Sequence, residues 1–199
     1  MTLVIGLTGS IATGKSTVSN MLRELGIPIV DADQIAREVV KPGEVAYEKI
    51  VKTFGDAIVQ SDGLIDRKKL GAIVFSNDEQ RKKLNAIVHP EVRKKMIMQR
   101  EYYKEQGYKA VILDIPLLFE SGLTDYVEKT LVVYVEESTQ LKRLMKRDNS
   151  TKEEALQRMQ SQYPIKDKIK LADAVINNNG SLDETREQLL ALLKKWNVI

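Results

Sequence analysis

The stretch Leu3–Thr17, which reads LVIGLTGSIATGKST, decides the fold. It begins with an apolar, partly β-branched run, and residues 18–25 that follow it have helical spacing. Between the two, Gly9–Ser16 matches the pattern G-x-x-x-x-G-K-[ST] at every fixed position. A chance match in an ordinary strand–turn–helix is the competing interpretation. The position of the motif between a strand and a helix favours a phosphate-binding loop (P-loop).

Each fixed position of this P-loop has a physical role in binding phosphate. Glycines let successive backbone N–H groups turn inward around phosphate oxygens, and the N-terminus of the next helix adds its partial positive charge. Lys15 can reach the β- and γ-phosphates, and the Ser16 hydroxyl can ligate Mg²⁺. We therefore predict a site for a nucleoside triphosphate with Mg²⁺. The residues predicted to bind it are Gly9, Ala12, Thr13, Gly14, Lys15, Ser16 and Thr17.

Composition restricts the class of protein. The chain has 199 residues, a length typical of one domain with small inserted lobes. It has no cysteine, which excludes disulfides and thiolate metal sites and fits a reducing cytoplasm. A net charge of +3 is too small to argue for nucleic acid. No run approaches the ~20 apolar residues of a membrane span, and the apolar start lacks the basic segment of a signal peptide, so we expect a first strand there.

Five short apolar segments alternate with helical patterns along the chain. Such alternation predicts an α/β fold, a five-stranded parallel sheet wound with helices on both faces. The first strand starts at Leu3, and the others are predicted at 27–30, 110–114, 130–135 and 173–176. Ligands of such sheets bind outside the carboxyl ends of the strands. The residues with useful chemistry at these ends are Gly9, Asp31, Asp33, Asp114 and Asn177.

A long helical insertion, residues 44–106, separates the second and third strands. It far exceeds the roughly 2–6 residues of a simple connection, so we predict a lobe that covers the site. Within it, Ser76–Glu79 reads as a capping box, and His89-Pro90 is predicted to end one helix and begin another. Further predicted helix starts are at Ser138, Thr151 and Ser181.

Candidates for a general base follow the second strand. Asp31 and Asp33 are two residues apart, so alternation places both on one side of an extended segment. Phosphoryl transfer to a hydroxyl requires a carboxylate that accepts the alcohol proton, and Asp33 is placed for that role. The alternative is that one of them caps the helix that starts at Gln34. For His89, the single histidine, packing at the His-Pro break is the simpler interpretation than acid–base chemistry.

Asp114 and a basic helix are further candidates for phosphate chemistry. Asp114 ends an apolar strand, a pattern that holds Mg²⁺ in P-loop enzymes and also occurs where no metal binds. Arg143 and Arg147 are one helical turn apart and are predicted to clamp the transferring phosphoryl group, and Arg158 could join them from a lid. The alternative is a basic face exposed to solvent.

Missing motifs also discriminate between functions. The chain lacks the Asn-Lys-x-Asp sequence that binds guanine, and no Asp-x-x-Gly switch stands in a plausible place. A kinase for a small molecule is therefore favoured over a GTPase. Three alternatives stay open: a P-loop kinase for a nucleotide, nucleoside or sugar acid, a nucleotide-dependent switch, and a nucleic-acid binder that uses the basic helix.

A series of motifs, in order from residue 3 to about residue 181, adds a further signal. They are Gly6–Gly9, Gly14–Thr17, Asp31–Asp33, Ala36-Arg37, Leu84–Pro90, Pro116–Glu120, Gln140–Arg143, Arg147-Asp148, Arg158, Gln162, Ala172-Asp173 and Asn178–Gly180. Together they resemble the dephospho-coenzyme A kinase family. The P-loop alone indicates only a superfamily, whereas Asp-Ala-Asp, His-Pro and Pro-Leu-Leu-Phe-Glu are much more specific.

The resemblance implies an adenylate-kinase-like fold with a P-loop core, a substrate-binding lobe and a lid. The chain would be one domain, residues 1–199, with the acceptor lobe at about 34–106 and the lid at about 138–165. It implies that ATP, with Mg²⁺, phosphorylates the 3′-hydroxyl of dephospho-coenzyme A in the cytoplasm. No nucleic acid, membrane or obligate protein partner is expected.

The resemblance also implies roles for single residues. Lys15, Asp33, Arg143 and Arg147 would be catalytic, with Asp33 as the base. Asn177 departs from the family, which often has Asp there, and Asp114 is not a fixed family position, which weakens its metal role. The residues implied for the acceptor are Asp33, Arg37, His89, Pro116 and Leu117, and those implied near the adenine of ATP are Asn177 and Asn179.

Overall fold

A five-stranded parallel sheet forms the centre of the fold in a computed structural model that describes residues 2–199. In chain order the strands are β1 (Leu3–Gly9), β2 (Ile29–Asp31), β3 (Ala110–Asp114), β4 (Lys129–Tyr134) and β5 (Ala174–Asn177). Their order across the sheet is β2-β3-β1-β4-β5. The predicted α/β class and parallel sheet are confirmed. Strand ends differ from the prediction by one or two residues.

The chain divides into two compact units. The first comprises the residues up to Val30 together with Arg100–Ile199, and the second comprises Asp31–Gln99. The helices of the first unit are α1 (Lys15–Glu24), α6 (Glu137–Asp148), α7 (Lys152–Gln160), α8 (Ile165–Leu171) and α9 (Leu182–Lys195). The helices of the second unit are α2 (Ala32–Glu38), α3 (Val45–Phe54) and α4 (Arg67–Phe75), and α5 (Asp78–Glu105) passes from the second unit into the first.

Alternate residues of the central strands form the core of the first unit. Ile5 and Leu7 of β1 are fully buried and pack with side chains of α1 and α9. On the opposite side of β1, a Cβ at Gly6 would lie 2.9 Å from Leu118 and 3.1 Å from Val127, so only glycine fits there. Side chains therefore pack closely against both faces of β1, the strand that leads into the P-loop.

The second unit has its own small apolar core. Ile50, Ile58, Ile65 and Leu70 are buried together, with partly buried side chains of α3, α4 and α5 around them. Asp66 caps α4, because its carboxylate accepts hydrogen bonds from the N–H groups of residues 68 and 69. The unit thus holds its helices by burial as well as by local caps.

One predicted helix break is wrong. The helix α5 runs without interruption through His89 and Pro90. A proline inside a helix removes one backbone hydrogen bond and crowds the carbonyl four residues earlier. Apolar side chains hold the helix on both sides of it: Ile87 and Val88 pack against the second unit's core, and Met96 is buried further along. Burial over a long helix therefore outweighs the local preference of Pro90.

Helix starts were predicted with mixed success. Capping boxes at Thr151 and Ser181 are confirmed. Asn77, rather than Ser76, caps α5 by accepting from the N–H of residue 80. Ser138 lies inside the first turn of α6, whose N-cap is Glu136. The short helix α8 after Pro164 was not predicted.

None of the helices in the part of the chain that the structure describes is long and apolar enough to cross a membrane.

Candidate active site

The P-loop turn connects β1 to α1 and depends on small residues. Ala12 and Gly14 both have positive φ, 60° and 85°. A Cβ at Gly9 would lie 2.6 Å from Oγ1 of Thr13 and 3.1 Å from the carbonyl oxygen of Val133, and a Cβ at Gly14 would collide with Nδ2 of Asn178. Close packing therefore favours glycine at both positions of the motif, and the positive φ of Gly14 adds a conformational reason at that position.

Side chains from distant parts of the chain hold the backbone of this loop. Asn178 donates from Nδ2 to the carbonyl of Thr13 at 2.9 Å. At Ile11, the carbonyl accepts from Nε2 of Gln140 at 2.8 Å, and the N–H donates to Oε1 of Gln162 at 3.0 Å. These bonds fix the loop before any ligand binds, which is the preorganisation that phosphate binding requires.

Lys15 and Asp114 meet beside the loop. Asp114, at the end of β3, is 4% exposed and lies opposite Leu7 of β1 in the sheet register. One carboxylate oxygen pairs with Nζ of Lys15, and the other accepts a hydrogen bond from Oγ of Ser19 at 2.6 Å. The structure therefore places the predicted Asp114 next to the P-loop lysine, within the phosphate-binding region, while Ser16 is exposed at the start of α1.

Asn178, which lies in a matching motif near the implied adenine site, has a structural role that the sequence did not predict. It is 5% exposed and connects three elements besides the P-loop. Its N–H donates to the carbonyl of Tyr134 at 2.7 Å, and its Oδ1 accepts from Thr185 at 2.9 Å. Nη2 of Arg143 donates to its carbonyl at 3.0 Å. The available signal was its position in the chain. Asn178 directly follows β5, and ligands of such sheets bind outside the carboxyl ends of the strands.

Asn177 and Asn179 form a fixed rim next to Asn178. Gln188 of α9 binds both backbone groups of Asn177, at 2.9 Å each. Asn179 accepts from the N–H of Glu136 at 2.9 Å and donates from Nδ2 to Oδ1 of Asn177 at 2.7 Å. The two asparagines predicted near adenine, Asn177 at the end of β5 and Asn179 just after it, are therefore held by hydrogen bonds on both sides of Asn178.

The three candidate arginines have different surroundings. Arg143 lies at the P-loop turn, because its guanidinium contacts Asn178. Arg147 and Arg158 both pair with Asp148, and the side chains of the two arginines are about half exposed, 53% and 49%. The hydrogen bond from Arg147 lowers the pKa of Asp148 and raises the pKa of Arg147 itself. Arg143 and Arg147 thus have different partners, a backbone carbonyl and a carboxylate, and the clamp stays a prediction.

The candidate acceptor residues divide between the two units. Asp31 is the N-cap of α2, with its carboxylate accepting from the N–H of Gln34 at 2.9 Å, so the capping alternative is confirmed for it. Asp33 lies in the first turn of α2 rather than on an extended segment, which corrects the predicted geometry. Arg37, later in α2, and His89 in α5 are exposed. The last two candidates, Pro116 and Leu117, follow β3 in the first unit.

Comparison with known proteins identifies the family. The profile of the dephospho-CoA kinase family matches residues 3–184. The chain belongs to this family. A dephospho-CoA kinase of Geobacillus kaustophilus (strain HTA426) is 62% identical to it over 199 residues, which cover 100% of this chain and 99% of the relative.

Solved structures agree with this family and with the fold. A protein from Thermus thermophilus, TT1252, superposes with a TM-score of 0.82 at 38% identity, over 98% of this chain and 97% of its own. The dephospho-CoA kinase from Campylobacter jejuni gives a TM-score of 0.77 at 35% identity, over 98% of each chain. The chain is therefore a nucleotide-binding kinase with a P-loop, and the predicted family, fold class and enzyme class are confirmed.

Proposed function

We propose that this kinase transfers the γ-phosphoryl group of ATP to the 3′-hydroxyl of dephospho-CoA, the last step of coenzyme A synthesis. The observation that carries the proposal is the match to the dephospho-CoA kinase family along nearly the whole chain, residues 3–184. The preorganised P-loop supports the donor half of the reaction. The absence of cysteine and of any described helix that could span a membrane supports the cytoplasm, where ATP is available.

Residues 9–17 bind the phosphates of ATP in this proposal. The loop is fixed by Gln140, Gln162 and Asn178, so its N–H groups need little reorganisation when phosphate arrives. Lys15 turns from Asp114 to the β- and γ-phosphates, which its partly exposed side chain allows (22% exposed). Asn177 and Asn179 lie on the fixed rim that contacts adenine.

The residues present fit a bound Mg²⁺. Mg²⁺ prefers oxygen ligands and usually binds through one or two protein oxygens, substrate phosphates and water. Ser16 and Asp114 supply oxygens of the right kind. No cluster of three or more His, Cys, Asp or Glu side chains that could hold a metal is found within residues 2–199, so phosphates and water would supply the other ligands. When bound, the ion would neutralise charge that develops on the β- and γ-phosphates.

The second unit is proposed to be the acceptor lobe. It contains a cavity of about 230 Å³ with an apolar wall that includes Ile50 and Leu70, and with Arg37, Lys41 and Arg67 among its lining residues. Dephospho-CoA combines a pyrophosphate with a long, weakly polar arm, so basic and apolar groups are both needed to bind it. In this lobe Asp33 accepts the proton of the 3′-hydroxyl.

The segment 138–165 is proposed to act as a lid. Its arginines balance the charge of the transferring phosphoryl group once Arg147 and Arg158 leave Asp148 for the phosphate oxygens. Closing the lid also excludes water, which would otherwise hydrolyse ATP. Pro116 and Leu117 in the first unit and His89 in the second are each proposed to contact the acceptor.

A panel of acceptors with ATP tests the proposed function. Purified protein is incubated with dephospho-CoA, AMP, a nucleoside and a sugar acid, and products are measured by mass spectrometry. We expect phosphate transfer to dephospho-CoA alone. The 2′-deoxy analogue of dephospho-CoA should react and the 3′-deoxy analogue should not. Faster transfer to another acceptor, or reaction of the 3′-deoxy analogue, would overturn the proposal.

A further inference from the structure

Lys168 is a fully buried lysine that the roles assigned above do not use. It lies in α8, a helix that the sequence did not predict, and its side chain is 0% exposed. Burying an ammonium group is unfavourable unless it is paired and hydrogen-bonded. A charge at this position therefore indicates a specific set of partners rather than general packing.

The ammonium group of Lys168 meets three oxygens from two different segments. It donates to the carbonyl of Gly9 at 2.9 Å and pairs with Oε1 of Glu120 at 2.7 Å. The carbonyl of Pro116 lies at 3.5 Å and also accepts a hydrogen bond from Thr8 at 3.0 Å. A lysine ammonium has three donors, so each oxygen has one available.

These partners are the first residue of the P-loop and the chain after β3. Gly9 is the residue where β1 ends and the loop begins. Because a peptide unit is planar, fixing the carbonyl of Gly9 also fixes the plane in which Ser10 leaves the strand. Pro116 begins the segment 116–120, which follows β3 and starts with the two proposed acceptor residues Pro116 and Leu117. One ammonium group thus sets the relative position of two segments of the site.

Glu120 extends this contact to the end of the proposed lid. Its Oε1 also accepts from the N–H of Tyr163 at 3.3 Å, between α7 and α8. Its Oε2 is buried and has no hydrogen-bond partner among the described residues. The lysine and its carboxylate therefore join the P-loop, the segment 116–120 and the chain that leaves the lid.

We propose that Lys168 is a positioning residue for phosphoryl transfer, which holds the start of the P-loop and the segment 116–120 in the arrangement that the transition state requires. The proposal rests on the proposed function. Stability alone does not explain the charge, because a buried ion pair is often no more stabilising than apolar residues of the same volume. Misplacing a catalytic loop by about an ångström can lower a rate roughly 10²-fold, so the expected signature is kinetic.

Lys168→Met tests this role, since methionine keeps most of the apolar stem and removes the donors. With ATP and dephospho-CoA we expect kcat to fall about 10–10²-fold, while the KM for ATP changes by less than about threefold. Lys170→Met is the matched control, because Lys170 lies on the same helix with its side chain 76% exposed and should behave as wild type. Wild-type kcat in a folded Lys168→Met protein would overturn the proposal. Inactive wild-type protein would instead overturn the proposed function.

The double variant Lys168→Met/Glu120→Gln separates positioning from stability. Lys168→Met alone leaves Glu120 as an unpaired buried charge, which Glu120→Gln removes. We expect the double variant to regain melting temperature and to keep the low kcat. Recovery of both quantities would show a purely structural ion pair.

If neither Lys168→Met nor the double variant folds, Glu120→Gln alone tests whether Lys168 is a positioning residue. It removes the ion pair but leaves the donors of Lys168 on Gly9 and Pro116. A kcat within about threefold of wild type supports positioning through the two carbonyls. A tenfold or greater fall would overturn it.

Discussion

The P-loop and the acceptor candidates differ in how they are built. Residues 9–17 form a backbone structure that side chains from α6, the chain after α7 and the loop after β5 hold from outside. Asp33, Arg37 and His89 are instead exposed side chains on the surfaces of helices. The proposed donor site is thus preorganised by its own chain, whereas the proposed acceptor residues named here are exposed side chains.

This difference determines how the two groups of residues would contribute to the free energy of ligand binding. A loop whose conformation is fixed in advance loses little entropy when phosphate binds, so its contribution is largely electrostatic. Exposed side chains have to be ordered by the ligand, and part of the interaction offsets that ordering. We therefore expect changes in the P-loop to abolish turnover, and changes in the acceptor residues to have graded effects.

Lys15→Ala is expected to have the largest effect. Removing the ammonium group proposed to meet the β- and γ-phosphates should lower kcat by about 10³-fold, because its charge would balance negative charge that develops on these phosphates in the transition state. Coupled measurement of ADP release checks this, and circular dichroism checks the fold. Lys146→Ala, on the exposed face of α6, is the control. A folded Lys15→Ala protein with full turnover would contradict the assigned donor site.

Asp33→Asn is expected to lower kcat by roughly 10²-fold, at the lower end for loss of a general base because the transition state of phosphoryl transfer is loose. Asp31→Asn is the matched control two residues away. Asparagine also caps helices, so this variant should retain both α2 and its turnover. Steady-state kinetics at saturating ATP measure both. A loss of only two- or threefold at Asp33 would reduce its role to orienting the acceptor.

The sequence predicted the donor half because its chemistry requires certain residue types at fixed spacing. Gly9 and Gly14 are needed for close packing, and Lys15 is needed for its charge. The motif therefore predicts the local structure of the loop. The residues that hold the loop could not be found in this way. Gln140, Gln162 and Lys168 act on it from 129–159 residues away in the chain, and no local pattern records such contacts.

Local rules were correct at two capping boxes and wrong at Pro90, where burial competes with them. Thr151 and Ser181 begin helices with capping boxes, as their sequences indicate. At Pro90 the local rule predicted a break, but the apolar residues on both sides of it keep α5 continuous. Asp33 was placed on the wrong kind of element because α2 starts earlier than expected, directly after its cap at Asp31.

Arg147→Ala is expected to lower kcat about tenfold and to change the KM for ATP by less than about threefold, because its contact with phosphate forms in the transition state. In the present state its guanidinium pairs with Asp148, so it does not contribute to the fixed P-loop. Lys142→Ala, exposed on the same helix, is the control. Weaker ATP binding at an unchanged kcat would contradict this assignment. Arg147 would then be assigned to ATP binding, together with the P-loop.

Helix caps allow the stability of the two units to be compared at residues that have no proposed role in catalysis. Asp66→Ala removes the cap of α4 in the second unit, and Ser181→Ala removes the capping box of α9 in the first. Each should lower the free energy of unfolding by about 1 kcal/mol, because backbone N–H groups lose their side-chain acceptor. Urea unfolding followed by circular dichroism measures both. A change in one variant that is several times larger than in the other would show that the two units differ in how much they depend on local structure.

The smallest expected effect is on the pH dependence of stability, at one carboxylate in each unit. Burial pushes the pKa of Asp173 upward, but hydrogen bonds from Thr130 and the charge of Lys129 more than offset it, so its pKa is lowered. In the second unit, hydrogen bonds from Gln34 and then Lys95 lower the pKa of Glu38. A lowered pKa in the folded state means that the unfolded chain binds protons first. The stabilisation is therefore complete above the ordinary pKa of about 4 and is lost as the pH falls through the folded value.

Asp173→Asn and Glu38→Gln should each make the free energy of unfolding fall less steeply between about pH 5 and pH 3. The change should be larger for Asp173, which is bound by backbone and side-chain groups that join β4 to the chain before β5, than for Glu38, whose partners are flexible side chains on helices. Urea unfolding across this pH range measures both slopes. An equal or larger change at Glu38 would show that the second unit fixes its side chains as firmly as the first, and the contrast between a preorganised donor half and a ligand-ordered acceptor half would then not extend beyond the P-loop itself.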